Sequence, residues 1–494
     1  MLRSEVSPPR RGLLSERLKH RFLYNDSQSR ATMNTAKIKQ LAVRGLRQVL
    51  GLLNIDPALI KAIIRTPPAV HGGPRARRWP WPRRRHFDKR EKRAVVQLLN
   101  REIRKGGAVI YGGPETKAYC RAFADYLGGG YAAAVNSGTN AVYVALRALD
   151  LEPGSEVIVP AITDAGGAMP VALLNCIPVP ADCERGSLNT SAHQIREALT
   201  DRTAAIVLAH LTGHPVDLDP ILALAADRHI PVIEDCAQAH GASYKGRLVG
   251  TFGAISAFST MFGKHHATGA QGGVVFTRDT LLFARARQLI DRGKPFGTLG
   301  NPTNVIASLN FNQDEISMAI GRVQLEKLPG ALRARRNFAA LVARGVKDVK
   351  GVSLVGDAPD CSGAYWFLTL FVDRTDLNCN SQQFAAALEL EGIGGVQAGY
   401  PFIPTDQPWH RDAVVFGRSG MPWSLRQQLR PQHFELPNAH EANQAIVRVD
   451  LHEALGPDEA RDLVAAVKKI AHYYGTSKRS TVGVDAEETL SSTA

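Results

Sequence analysis

Long apolar runs are missing from this chain. None of its 494 residues lies in an uninterrupted hydrophobic stretch approaching the roughly 18–20 residues that a membrane-spanning helix requires. Residues 1–30 are polar and basic with no apolar centre, so they do not read as a secretory leader. Cysteine is scarce as well. The six present (Cys120, Cys176, Cys183, Cys236, Cys361, Cys379) form neither CxxC pairs nor a dense framework. That spacing argues against zinc and against a disulfide scaffold, and fits reduced thiols in the cytoplasm. The remaining composition, 44% hydrophobic and 21% charged, is that of an ordinary globular protein long enough for two or three domains.

Acidic residues are also rare at one end. Residues 1–110 hold 26 Lys and Arg against 7 Asp and Glu, which leaves 34 against 39 in the remainder. The formal net charge of +14 therefore belongs to an N-terminal arm, and any polyanion contact belongs there too. Residues 1–32 lack periodicity and are expected to be disordered; Met33, where order improves, is a candidate start. Apolar residues at helical spacing over 38–53, with Lys37, Lys39, Arg44 and Arg47 among them, predict a basic amphipathic helix, followed by a shorter one over 58–65. Such an arm can lie on an anionic membrane surface, dock a partner, or fold onto its own body. Residues 75–85 interleave arginines with Trp79, Pro80, Trp81 and Pro82. The prolines predict a solvated, partly extended linker, and without a helix-turn-helix or zinc pattern nucleic acid is a poor fit.

From residue 86 the pattern becomes regular. Helices are predicted over 86–104, 115–127, 141–149, 192–199 and 218–228. Strands are predicted over 131–135, 156–160, 177–181, 204–209, 232–234, 254–258 and 273–276. This alternation implies a mainly parallel sheet with helices on both faces and chemistry at the strand ends. The last two strands have no helix between them, so one of them is expected to run antiparallel. Further helices are predicted to about residue 293, over 316–328 and over 333–346. A second domain follows, with a strand over 366–372, helices over 381–391 and 457–474, and a polar tail from 476.

Chemistry concentrates between residues 231 and 277. The strand 232–234 closes on Glu234-Asp235, and Lys264 follows the next strand in a stretch poor in other cations. A carboxylate at one strand end and an amine after its neighbour are what pyridoxal phosphate needs. The lysine takes the aldehyde as a Schiff base, and the acid keeps the pyridine nitrogen protonated so that the ring accepts electrons. Upstream, strand, Asn136-Ser137-Gly138-Thr139 and helix form the geometry in which free N–H groups meet a phosphate.

Taken in order, Asn136-Ser137-Gly138-Thr139, Glu234-Asp235-Cys236-Ala237-Gln238-Ala239-His240-Gly241, Phe258-Ser259 with Lys264, Gly272-Gly273 and Asn310-Phe311 resemble the DegT/StrS family of nucleotide-sugar aminotransferases over about residues 90–474. The resemblance implies a type I pyridoxal-phosphate transferase fold, α/β, with a mainly parallel seven-stranded sheet and a smaller C-terminal α+β domain. On that basis residues 1–85 are an extension, 86–330 the cofactor domain, 331–475 the small domain and 476–494 a tail. It also implies roles. Lys264 is the Schiff-base lysine and Asp235 the partner of the pyridine nitrogen. Gln238 lies beside the phenolic oxygen, and Ser137, Gly138, Thr139 and Ser259 hold the phosphate. Asn310 reaches the phosphate of a neighbouring subunit, which makes the enzyme a homodimer with shared sites. Asp164, also counted with the cofactor positions, stands where the family usually places an aromatic against the ring. Asn310-Phe311-Asn312 replaces Asn-Tyr-Arg, and His265-His266 follow the lysine. The implied activity is transfer of an amino group from glutamate or glutamine to a keto-sugar, nucleotide-linked, in amino-sugar biosynthesis. Two alternatives stay open: a dehydratase in which histidine replaces the lysine, and a non-catalytic regulatory protein on the same scaffold.

Overall fold

The computed structural model describes residues 64–296, 303–426 and 434–475. The helix expected over 38–53, nearly all of that over 58–65, and both tails lie outside the described residues. Among the described residues no helix is long and apolar enough to cross a membrane.

Seven strands make the central sheet: β1 (Tyr131–Val135), β2 (Glu156–Pro160), β3 (Ile177–Ala181), β4 (Thr203–Ala209), β5 (Val232–Asp235), β8 (Ile255–Ser259) and β9 (Gly273–Thr277). Between β5 and β8 the short strands β6 (Ser243–Tyr244) and β7 (Arg247–Leu248) form a hairpin, to which β11 (Cys361–Ser362) adds a third strand. The spatial order is β1-β9-β8-β5-β4-β2-β3. Every neighbouring pair from β8 to β3 is parallel, and β9 alone is antiparallel to both of its neighbours, as the missing helix between the last two strands required. Strands such as Glu-Val-Ile-Val-Pro are buried end to end because helices cover both faces. One face packs around Tyr119, Phe123, Phe258 and Leu332; the other around Val144, Val157, Ile233 and Leu289.

The helix Glu315–Val346 runs unbroken through Pro329 and past residue 330, where the sequence reading separated two helices and two domains. Met318, Leu325 and Leu328 pack on the central sheet. Phe338, Ala339, Val342 and Val346 pack into a second core, with the four-stranded sheet of β10 (Val352–Leu354), β12 (Phe367–Val372), β14 (Ile446–Asp450) and β13 (Val396–Ala398) and the helix Pro457–Tyr474. Burial along its whole length offsets the roughly 3 kcal/mol that an interior proline costs a helix.

A further helix, Ala165–Leu173, which the sequence pattern does not predict, carries Gly166-Gly167 in its first turn and contains Pro170. Asp164 caps it by accepting from Gly166 N at 3.0 Å. Residues 75–85 also differ from expectation. They are extended, as their prolines demand, but not a solvated linker. Arg77 is 5% exposed, with Glu459 at 3.0 Å and Asp462 at 2.7 Å, and Trp81 packs against the second core.

Candidate active site

Because β4, β5 and β8 are parallel, their last residues Ala209, Asp235 and Ser259 reach one edge of the sheet. At that edge β9 enters in reverse, pairing Gly273 with both Ser259 and Val135, so the loop after β1 arrives there too. The result is a cleft of about 230 Å³ lined by Ser137, Gly138, Thr139, Asp164, Asp235, Gln238, Ser259 and Lys264, eight of the nine positions singled out in the sequence. The ninth, Asn310, is not among its lining. It is exposed, and its side-chain oxygen accepts from Asn312 N at 3.1 Å.

One end of the cleft suits an anion. Ser137 caps the helix Gly138–Ala148, its hydroxyl accepting from Asn140 N at 3.1 Å, and the helix start adds the positive end of its dipole. A Cβ on Gly138 would stand 2.5 Å from that of Ser259, so only glycine lets the end of β8 meet this helix. Below it His240 donates from Nε2 to the Ser259 carbonyl at 2.7 Å, and burial holds its pKa down at about 4, so it is a neutral support.

The other end is acidic. Asp235 is 7% exposed and accepts from Ala237 N at 2.9 Å through one oxygen. Burial pushes its pKa up, against the Ala237 N–H and the charge of Lys264, while Asp164 adds to the rise. Among the described residues no cation forms an ion pair with Asp235 at close range. Gly167 lies against it, and Gly166 lies against Thr139. A Cβ on Gly167 would lie 2.4 Å from Thr163 Oγ1 and 3.2 Å from Asp235 Oδ2, and one on Gly166 would lie 2.5 Å from Thr139 Oγ1. Both glycines line the cleft, and a side chain on either would collide with its threonine neighbour.

Lys264 enters from the loop after β8, 8% exposed, with its amine 4.3 Å from the centroid of the Trp366 ring. Burial lowers its pKa, and Asp164 and Asp235 oppose the fall. The next residue, His265, is turned away to donate from Nε2 to the Ala364 carbonyl at 3.1 Å. Gln238 is held on both sides of its amide: Oε1 accepts from Thr212 N and Nε2 donates to Tyr400 Oη, each at 2.8 Å.

Glu234 is structural. Its carboxylate accepts from Gly250, Phe252 and Gly253 N–H groups and from His210 Nε2. Val216 N donates to His210 Nδ1, which leaves the ring proton on Nε2. His210, Glu234 and Cys236 lie near enough to share a metal ion, but these bonds already occupy the carboxylate, and burial pushes the Cys236 thiol well up.

Thr163, His210, Trp366 and Tyr400 were not singled out in the sequence. The last two come from the second sheet and its loops, and no local spacing announces them. Gly166 and Gly167 follow Asp164 in the sequence, but the place of Gly167 against Asp235 is set by the fold.

Residues 88–468 match the DegT/DnrJ/EryC1/StrS aminotransferase family. Among curated relatives, the chain is similar to the L-glutamine:2-deoxy-scyllo-inosose aminotransferase of Micromonospora echinospora, 31% identical over 433 residues that cover 81% of this chain and 97% of that one. It is also similar to the dTDP-3-amino-3,4,6-trideoxy-alpha-D-glucose transaminase of Streptomyces venezuelae, 34% identical over 360 residues, covering 73% and 88%. Among solved structures, an aminotransferase from Psychrobacter cryohalolentis superposes with a TM-score of 0.70 at 29% identity, covering 78% of this chain and 98% of its own. DesV from S. venezuelae superposes at 0.68 and 27% identity, covering 79% and 99%.

Proposed function

Since the chain belongs to the DegT/DnrJ/EryC1/StrS aminotransferase family, we propose that it moves an amino group from glutamate or glutamine to the ketone of a nucleotide-linked sugar. It is a sugar aminotransferase of the type I fold, dependent on pyridoxal phosphate. The cleft fits that group: a helix start for the phosphate, a slot lined by two glycines for a flat ring, a buried acid with no close ion pair among the described residues for the pyridine nitrogen, and a buried amine for the aldehyde. When bound, it supplies an electrophilic carbon and an electron-accepting ring.

The chain's own residues do the rest. Lys264, its pKa lowered by burial, presents a larger fraction of free amine, which serves first as nucleophile and then as the group that shuttles a proton. Asp235 holds a ring nitrogen in its protonated form, and the pairing relieves its own burial. Ser137, Gly138, Thr139 and Ser259 bind the phosphate, and Gln238, fixed by Thr212 and Tyr400, sits beside the phenolic oxygen. Asn310 serves the site of a second copy. Its exposure, beside Leu309 at 65% exposed, supports a homodimer. Six unpaired cysteines fit the reducing cytoplasm.

The carrying observation is that the buried amine of Lys264 and the buried carboxylate of Asp235, which has no ion pair among the described residues, line one cleft with Gly166 and Gly167. Borohydride reduction of the cofactor-loaded protein, followed by peptide mass spectrometry, should tag Lys264, and Lys264→Ala should lose both the tag and the visible band. A tag on another residue, or none, rejects the assignment. Keto-sugar nucleotides and free inososes incubated with glutamate or glutamine then test the substrate class, and turnover of inososes alone rejects the nucleotide.

A further inference from the structure

Residues 69–86 precede the region matched to the family, yet polar groups fasten them to the body along their whole length. Glu391, fully buried, accepts from Ala69 N at 2.8 Å and Ala76 N at 2.6 Å and pairs with the equally buried Lys469 at 2.9 Å. His452 donates to the Pro82 carbonyl at 3.1 Å, and Gln324 to that of His86 at 2.8 Å. The strap so held delivers one side chain to the active site loop. Arg84 pairs through Nε with Glu453 at 3.1 Å and spreads its other nitrogens over three successive carbonyls: Gly263 at 2.7 Å, Lys264 at 2.8 Å and His265 at 3.3 Å. Its neighbours Arg83 and Arg85 face solvent.

We propose that Arg84 is a positioning residue for Lys264, and that the strap is therefore part of the catalytic apparatus and not an appendage. The inference rests on the assignment of Lys264 given above. Lysine has a long flexible stem, so the direction of its amine depends on how firmly its Cα is held. Here the peptide planes on both sides of that Cα are fixed by one planar fork, which Glu453 orients from the small domain. Trp366 packs over the amine at the far end. Backbone and tip are both held, leaving the stem little freedom to swing away from the slot.

The test follows the reaction of the cofactor-free protein with pyridoxal phosphate, by the visible band against pH and by borohydride tagging. Arg84→Ala should slow tagging of Lys264 by up to about a hundredfold, the cost that a misplacement of about 1 Å can carry, and shift the pH midpoint of the band. Arg84→Lys, a point donor, should restore only part of the rate. Arg83→Ala and Arg85→Ala should react like the wild type. An Arg84→Ala protein with the wild-type rate and midpoint overturns the proposal. Should that variant fail to accumulate, wild-type rates in both Arg84→Lys and Glu453→Gln overturn it equally. Wild-type protein that takes no tag at Lys264 rejects the functional reading and this proposal together, whereas a tagged wild type with indifferent Arg84 variants rejects the proposal alone.

Discussion

A single methyl group is the sharpest probe of the slot. On Gly167 it would fall 2.4 Å from Thr163 Oγ1 and 3.2 Å from Asp235 Oδ2, so the floor must shift to admit it. Overpacking of this kind costs about 1–3 kcal/mol. Gly167→Ala should therefore weaken cofactor affinity about tenfold or more with little loss of secondary structure, and a titration of the cofactor-free protein gives the answer. An unchanged dissociation constant would mean that the ring does not lie against this face. At this scale the sequence was informative where a residue's task is set by its own strand end. Asp235 and Lys264 were legible as members of one cleft because each terminates or follows a short apolar run, and Ser259 through the family resemblance. Trp366 and Tyr400 were not, because what makes them part of the site is a contact with Lys264 or Gln238 more than a hundred residues away.

Among the elements, the strap carries the clearest energetic prediction. Glu391→Gln leaves Lys469 buried without its counter-charge, and breaking a buried pair in this way typically costs about 3–5 kcal/mol. The variant should melt at a markedly lower temperature, and proteases should cut between residues 69 and 77 well before the body is digested. A variant that matches the wild type in both respects would show the pair to be dispensable. Composition misled here for a physical reason. Prolines and arginines read as a linker because their partners, Glu391, Glu459 and Asp462, lie more than three hundred residues on. The helix Glu315–Val346 was read as two pieces because Pro329-Gly330 breaks helices by intrinsic preference, and burial against two cores overrides that preference. Ala165–Leu173 escaped notice on the same ground.

For the molecule as a whole, the buried histidines set an acid limit. His86, His240, His265, His266, His410 and His452 all have folded pKa values below the ordinary 6.5, chiefly through burial, with His240 and His410 at about 4. The unfolded chain binds more protons on these groups than the folded one, so each adds stability that is complete above about pH 6.5 and is lost as pH falls toward 4, at up to about 1.4 kcal/mol per pH unit. Asp235, Asp450 and Asp462, raised by burial, act in the opposite sense and offset part of the loss. The melting temperature should drop steadily from pH 6.5 to 4, and a flat profile by scanning fluorimetry would contradict the sign. The sheet itself was the most legible feature, since the β-α alternation dictates parallel pairing and the one missing helix dictates the reversal at β9. The strap has a last consequence, one of order in time. It is among the first described segments to leave the ribosome, but its seats at Glu453 and at Lys469, which donates to the Pro74 carbonyl, are among the last. A nascent chain stalled before residue 453 already carries every strand of the central sheet, yet has no counter-charge to orient Arg84 on the lysine loop. Only a finished polypeptide carries the completed clasp.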